Sequence, residues 1–371
     1  MEAPPSLPLP VTSLPAAIQR FGDPAAPPPA KMMAAKGLVP VKGADMVMLL
    51  VQLSADTDSN VAGPARDTLA GLPREVLLAA CGGEMHIAAL DRLAEVYIED
   101  DEVLERLMLN GATATSTVAR VGRFCSERIT EVIATNQQRL LGSPDIIEAL
   151  YKNTKTRMST ADRLIELAAR NGVELTGIPS FQAHVEAIQG ELIPEPSDEP
   201  LPGDTLFSEA LAADSDNPDV VAEDGAEDDA LKDEFKPLSF RIGKMRTSEK
   251  LRLAIVGNAA ARALLIRDRN KQVAMAAVAS PQMTDVEAVP IARSKEVSEE
   301  ILRYVANRRE WMKNYELKRA IVFNPKMPTG ISLRYLAHMM PGDLKDLARS
   351  KNVPGALKSA ALQRLAKVEK K

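Results

Sequence analysis

The side chains best able to bind a metal or act as nucleophiles are few in this sequence and lie far apart. There are three histidines, His86, His184 and His338, and two cysteines, Cys81 and Cys125. A structural zinc site needs four ligands, often with two from one short motif. Cys81 and His86 are five residues apart, a poor helical spacing, and neither cysteine belongs to a Cys-x-x-Cys motif. The sequence therefore predicts no metal site, no cofactor, and two buried free thiols in a reducing compartment.

Motifs that would indicate an enzyme are missing. The chain contains neither a Gly-x-Gly-x-x-Gly nor a Gly-x-Ser-x-Gly motif, and Ile242-Gly-Lys244 lacks the upstream glycine and the following Ser/Thr of a phosphate loop. The acid pairs at 100–101 and 299–300 stand at predicted helix starts, where carboxylates complement the helix dipole. We therefore predict no catalytic residues and no enzymatic activity.

The basic residues form the most prominent group of candidate functional side chains. They cluster in the last third of the chain, and aromatic residues are nearly absent near the first two clusters, where only Phe240 is close. Proteins that bind single-stranded nucleic acid usually combine such charge with stacking aromatics. The candidate partner-binding residues are Arg241, Lys244, Arg246, Arg262, Arg267, Arg269, Lys271, Arg308, Arg309 and Lys313.

The net charge of −5 hides a strong asymmetry along the chain. Residues 1–189 hold 17 Lys/Arg and 23 Asp/Glu, residues 190–235 hold 1 and 16, and residues 236–371 hold 28 and 12. The acidic stretch of net charge −15 is thus followed directly by a basic stretch of net charge +16. A domain this basic favours anionic partners, which include acidic proteins, nucleic acid and anionic lipid.

The basic stretch has the pattern of a stack of short helices. Apolar residues recur at i, i+3 and i+4, as in Ile301, Leu302 and Val305, and prolines punctuate the runs. Thr284 followed by Glu287 is typical of a capping box. We predict about nine helices. Residues 277–284 align with 321–328 at an offset of 44, which indicates repeats with a loose period; an irregular helical bundle is the alternative.

Composition and periodicity divide the chain into four segments. Residues 1–30 contain nine prolines and are predicted to be a disordered tail, which could also be a ligand for a proline-reading domain. Residues 31–189 are predicted to form a helical, repeat-like domain, and residues 236–371 a basic helical-repeat domain. Residues 190–235 lack periodicity and are predicted to be an acidic disordered linker. Ser143-Pro144 should begin a helix, and Asn171-Gly172 should end one.

Two stretches carry a resemblance to known proteins. The turn Asn324-Pro-Lys-Met-Pro328 resembles the leucine-rich-variant and HEAT-like repeats of bacterial proteins. The run KLRLAIVGNAAARALLIRDRNK at 250–271 resembles a bacterial helical-repeat family, and the likeness continues through 305–311 and 347–354. The resemblance implies an all-α fold, with two HEAT-like (α-solenoid) domains joined by the linker. It implies no activity, and the period departs from a clean 24-residue repeat.

The resulting functional hypothesis is a non-enzymatic interaction scaffold. It would bind protein partners, acidic ones through the basic domain, and the acidic linker could compete with them inside the molecule. The alternative is a nucleic-acid-associated helical-repeat protein that binds the phosphate backbone. Because the sequence has no secretory signal pattern and no apolar run of membrane-spanning length, we expect a cytoplasmic location.

Overall fold

Helices make up all of the regular structure in the part of the chain that this computed structural model describes, residues 4–213 and 238–368. Those residues contain 24 α-helices, with short 3-10 turns, and no β-strand. The prediction of an all-α protein is therefore confirmed. The chain divides into two compact units, Met1–Gly177 and Ile178–Lys371, which are described separately below.

Twelve helices form the first unit. They are α1 (Gln19–Gly22), α2 (Pro28–Ala35), α3 (Gly43–Ser54), α4 (Ser59–Ala70), α5 (Arg74–Gly82), α6 (Ile87–Val96), α7 (Asp101–Leu109), α8 (Thr115–Gly122), α9 (Glu127–Ala134), α10 (Gln137–Gly142), α11 (Pro144–Lys152) and α12 (Met158–Arg170). Helices α3, α5, α7 and α9 pack side by side in one row, and α6, α8 and α11 pack in a second row. The buried faces of the two rows form the core.

The N-terminal segment differs from its prediction as a disordered tail. Leu9, Leu14 and Ile18 are all buried, and α1 and α2 pack against α3. The buried Gln52 of α3 clamps the segment, because its Nε2 donates to the carbonyl of Leu9 and its Oε1 accepts the Leu9 N–H, both at 2.8 Å. Proline removes backbone donors, and here a core glutamine and three apolar anchors supply the contacts that regular structure would otherwise provide.

Twelve further helices form the second unit. They are α13 (Phe181–Ile188), α14 (Pro202–Ala212), α15 (Leu238–Lys244), α16 (Thr247–Val256), α17 (Ala259–Leu265), α18 (Lys271–Val278), α19 (Asp285–Arg293), α20 (Glu299–Asn307), α21 (Tyr315–Phe323), α22 (Thr329–Leu336), α23 (Pro341–Arg349) and α24 (Gly355–Val368). Helices α14, α16, α18 and α20 pack in one row, and α15, α17, α19 and α21 pack in another. The last three helices close the unit around a core that includes Leu344, Leu347 and Leu357.

Part of the predicted acidic linker is folded. Residues 202–212 form α14, in which Phe207 is 2% exposed and packs under the guanidinium of the buried Arg252 at 4.7 Å from the ring centroid. Helix α14 contacts α15 and α16, and α13 also packs on α16. The prediction of disorder is therefore wrong for this segment. The remainder of that prediction, from residue 214 to residue 235, lies outside the described residues.

Most helix boundaries occur where the sequence signals place them. Thr284 caps α19 by accepting the Glu287 N–H at 3.3 Å, and Gly172 has a φ of +66° directly after α12. Helix α11 begins at Pro144, but Ser143 makes no capping hydrogen bond with its side chain. Ile301, Leu302 and Val305 are buried, as their spacing predicts.

Three asparagines link the end of one helix to the end of an earlier helix. Asn110, Asn153 and Asn324 each follow the last residue of a helix, and the side-chain Nδ2 of each donates to two carbonyls. The acceptors are Cys81 and Gly83 for Asn110, Gly122 and Cys125 for Asn153, and Ala292 and Ser294 for Asn324, all between 2.7 and 3.0 Å. In each case Oδ1 accepts the N–H two residues on, at 2.9 Å. These contacts satisfy helix-end carbonyls that lack helical partners.

Candidate functional site

The ten candidate cations do not form one surface. Two of them are buried, and three exposed ones, Arg246, Arg267 and Lys313, contact carboxylates. The other five are exposed and make no ion pair within the described residues. Burial therefore has to be considered residue by residue before the charge can be interpreted.

The side chains of Arg262 and Arg241 make contacts within the second unit. The Arg262 side chain forms a bidentate pair with Glu287 at 2.9 and 3.0 Å, and its Nη1 donates to the Gly257 carbonyl at 2.6 Å. Arg241 is 8% exposed and donates from Nη1 to the Glu209 carbonyl at 3.0 Å. The forked pair with Glu287 occupies Nε and Nη2 of Arg262. Both side chains are buried and make contacts within the second unit, and their role in partner binding stays a prediction.

Arg246 and Lys244 flank the start of the basic region. Arg246 is exposed but pairs with Glu249 at 2.9 Å and with Glu191 at 3.1 Å. The Lys244 ammonium lies 4.6 Å from the centroid of the Phe240 ring. Lys244 and Phe240 border a cleft of about 360 Å³ between α14 and α15. Lys244 is therefore open to solvent, whereas the charge of Arg246 is largely compensated.

A first exposed group, Arg267, Arg269 and Lys271, lies at the turn between α17 and α18. Nε of Arg267 is 3.8 Å from the Glu296 carboxylate, in the turn before α20. This contact joins the turns that precede α18 and α20, two helices that pack against one another. Arg269 and Lys271 are exposed and make no ion pair within the described residues.

A second exposed group, Arg308, Arg309 and Lys313, follows the end of α20. Because α20 has nine residues, it separates this group from the turn before α20 by about 14 Å. The Arg308 guanidinium lies 4.9 Å from the Tyr304 ring centroid and 5.5 Å from that of Trp311. Lys313 pairs with Glu310 at 2.5 Å, although both side chains are more than 70% exposed, so water screens this pair strongly.

A groove between α17 and α19 is a feature that sequence reasoning missed. It encloses about 220 Å³ and is bordered by small or apolar side chains, among them Ala259, Ala263, Pro290 and Ile291. Arg267 lines it as well. In the sequence, two alanines four residues apart on a helix indicate a core face. The only signal for the groove was the combination of small residues on α17 and a proline inside α19.

A polar cluster joins α21 to the start of α23. Nε of Arg319 donates to Asp343 at 2.6 Å, the Tyr315 hydroxyl also donates to Asp343, and the Met340 N–H donates to the Tyr315 oxygen at 2.9 Å. Burial alone would raise the pKa of the Asp343 carboxyl, but the hydrogen bonds from Tyr315 and Arg319 outweigh burial and lower it. Because all members are tied to one another, the cluster has a structural role.

Two comparisons of this chain with known proteins gave no match. No family model matches it, and no curated protein matches it either. The resemblance to leucine-rich-variant and HEAT-like repeats therefore stays a prediction. Among residues 4–213 and 238–368, no helix has both the length and the apolar composition needed to cross a membrane. In the same ranges, no group of three His, Cys, Asp or Glu side chains is arranged to hold a metal ion.

Proposed function

We propose that this chain is a non-enzymatic, cytoplasmic interaction scaffold whose helix pairs stack as HEAT-like repeats. In this proposal the second unit binds acidic protein partners through its exposed arginines and lysines. The helical-repeat arrangement, the location and the partner class are all parts of the proposal.

Two features of the packing support a repeat scaffold. Within each unit, many helices contact the next-but-one helix along the chain, which is their neighbour in the row, as α5, α7 and α9 do in the first unit. The bridging asparagines Asn110 and Asn153 make the same set of contacts 43 residues apart. Rows that grow by nearest-neighbour stacking are the architecture of helical repeats, which offer long surfaces for binding.

The positive charge of residues 238–368, within the second unit, carries the proposal on the partner. Residues 238–368 hold 25 Lys/Arg against 11 Asp/Glu. Several of these cations are exposed and make no ion pair within the described residues: Arg269, Lys271, Lys295, Arg309, Arg349 and Lys351. Exposed cations with no internal partner raise the local concentration of anionic ligands and speed their association.

The alternative, binding of nucleic acid, is favoured by one observation. Tyr304 and Trp311 lie within 6.4 Å of one another, centroid to centroid, and both flank the exposed Arg308. Aromatic rings beside an arginine are the platform on which single-stranded bases stack. This group would then bind bases, while nearby cations contact phosphates.

The proposal is tested by titrating the full-length protein with fluorescent poly-L-glutamate, a 20-nucleotide single strand and a duplex, at about 50 and 200 mM salt. We expect poly-L-glutamate to bind most tightly, with an affinity that falls as salt rises. The triple variant Arg269→Glu, Lys271→Glu, Arg309→Glu should bind it at least tenfold more weakly.

The control variant reverses three exposed cations of the first unit, Lys36→Glu, Arg123→Glu and Lys155→Glu, and so changes the net charge equally. Equal losses in the two triple variants would show that only the overall charge matters and would contradict the proposal. A clear preference for the single strand, lost on Trp311→Ala, would establish the alternative instead.

A further inference from the structure

The groove between α17 and α19 is a partly open apolar site within a basic region. Ala259 and Ala263 of α17 are exposed along one side, and the exposed Pro290 of α19 faces them across the groove. Met283 and Val297 are buried at its base. The small side chains of Ala259 and Ala263 on α17 leave space beside the proline ring of α19.

The volume of the groove decides what it can hold. An apolar cavity of about 150 Å³ is large enough to bind a benzene ring. The groove encloses about 220 Å³, which is enough for one large apolar or aromatic side chain and too small for a drug-sized ligand or cofactor, whose pockets start at about 300 Å³. A single anchoring side chain from a peptide therefore fits its size.

The walls of the groove carry no uncompensated charge. Arg262 and Glu287 both line it, but they satisfy one another through two hydrogen bonds, and a further Arg262 bond goes to Gln282 at 3.1 Å. Separating the partners of such a pair is costly, because it leaves an uncompensated charge in a desolvated site. The groove interior therefore selects for apolar shape.

The mouth of the groove selects for negative charge. Arg267 lines the groove, is 54% exposed, and has only a loose contact of 3.8 Å with the 80% exposed Glu296. Exposed pairs of this kind contribute little free energy, so a carboxylate from a partner can replace Glu296. Lys295 and Arg269 are exposed nearby in sequence and make no ion pair within the described residues.

From this combination of shape and charge, we infer that the α17–α19 groove is a docking site for a short acidic peptide segment of a partner protein. One large apolar side chain of the peptide, best an aromatic ring, enters the groove between Ala263 and Pro290. The flanking carboxylates of the peptide pair with Arg267 and its neighbouring cations. The inference rests on the proposed function, because it names the site and the chemistry by which an acidic partner is recognised.

The test uses the full-length protein and three labelled twelve-residue peptides. The first has one tryptophan between two runs of glutamate, the second has alanine in place of tryptophan, and the third has tryptophan between runs of lysine. We expect the acidic tryptophan peptide to bind at least tenfold more tightly than either of the others. Ala263→Phe, which fills the groove from an exposed position, should weaken its binding at least tenfold, and Arg267→Glu should weaken it severalfold.

Matched controls keep the outcome clear. Ala366→Phe places the same ring on an exposed position of α24, and Arg123→Glu reverses an exposed cation of the first unit that makes no ion pair within the described residues. Both variants should bind the peptide as the wild type does. Equal binding of the alanine peptide, or an unchanged affinity in Ala263→Phe, would overturn the inference. A dimer in sedimentation that Ala263→Phe dissociates would overturn it too, because the occupant would then be a second copy.

The experiments distinguish a wrong inference about the groove from a wrong proposed function. Binding of poly-L-glutamate that is retained in Ala263→Phe, with no preference for tryptophan, rejects the groove alone. An absence of any salt-dependent binding to poly-L-glutamate rejects the proposed function.

Discussion

At the scale of single residues, burial decides what a charged or reactive side chain can do. Arg262 and Arg269 are the same residue type seven positions apart, yet the first is 4% exposed within a network of hydrogen bonds and the second is free in solvent. The two cysteines follow the same rule. Burial raises the pKa of the thiols of Cys81 and Cys125 to about 12, so both stay protonated near neutral pH and are poor nucleophiles.

The lowered pKa of Asp343 makes a contribution to stability that depends on pH. The pKa of the Asp343 carboxyl is lower in the folded state than its unfolded value of about 3.9, so the ionised carboxylate stabilises the fold when the pH is above that unfolded value. This contribution is lost as the pH falls through the folded pKa. We expect Asp343→Asn to lower the free energy of unfolding by about 1–2 kcal/mol at pH 7, because it removes the charge that Arg319 and Tyr315 stabilise.

The measurement is urea unfolding followed by circular dichroism at pH 7 and at several pH values down to 3. The difference between wild type and Asp343→Asn should shrink below about pH 4. Asp346→Asn, on an exposed position of the same helix, is the control and should match the wild type throughout. A difference that stays constant between pH 7 and pH 3 would show that the carboxylate charge is not the cause.

At the scale of helices, the bridging asparagines connect elements that no local pattern relates. Asn153 is 2% exposed and donates to the carbonyls of Gly122 and Cys125, which stand at the end of α8 and just beyond it. Removing a buried donor leaves its acceptors without a partner, which costs more than the net value of the hydrogen bonds themselves. Each such asparagine therefore holds the separation between its two helix ends.

We expect Asn153→Ala to lower the free energy of unfolding by about 2–4 kcal/mol, and Asn153→Asp to lower it at least as much, because a carboxylate of the same shape cannot donate. Asn171→Ala is the control: the Asn171 side chain is exposed and donates only to the Leu167 carbonyl of its own helix. Its effect should stay below about 1 kcal/mol. Urea unfolding of the three variants checks this, and an Asn153→Asp variant as stable as the wild type would refute the bridging role.

The sequence predicted local structure well and non-local structure poorly. Periodicity located the helices of the basic stretch, where ten are found against about nine expected, and the capping residue Thr284 was identified. The order of residues 4–30 was missed because a high proline count does not reveal that Gln52, 43 residues after Leu9, supplies the missing hydrogen bonds. Helix α14 was missed for the same reason, since its acidic surroundings conceal the single buried Phe207.

The groove and the division of the cations were also beyond the sequence. Both depend on which helices pack together. Arg262 and Arg267 are the same residue type in the sequence, but in the structure Arg262 pairs with Glu287 and Arg267 is exposed to solvent. A basic cluster read along the chain therefore overestimates the charge that a partner meets. The alanines of α17 could be recognised as a groove wall only after α19 was placed against them.

At the scale of the whole molecule, the most important feature is that an acidic stretch of the sequence is followed directly by a basic one. Residues 214–237 hold ten Asp/Glu and two Lys. The described chain before them ends at Ala213, whose carbonyl accepts a hydrogen bond of 2.8 Å from Asn258, the residue before the groove residue Ala259. An acidic stretch tethered at that point has an effective concentration on the order of millimolar at the basic residues around it.

We therefore predict that residues 214–234 compete with external polyanions for the basic residues of the second unit. Neutralising the ten acidic residues to Asn and Gln should raise the affinity for poly-L-glutamate, by an amount on the order of tenfold at about 50 mM salt. The gain should shrink as salt rises, because exposed charges are screened beyond about 8–10 Å at physiological ionic strength. The change leaves α14 and its buried Phe207 intact. A variant with the order of residues 214–234 shuffled keeps the charge and should bind as the wild type does. If the neutralised and shuffled variants have equal affinities at low salt, the acidic stretch does not compete and acts only as a connection between α14 and α15.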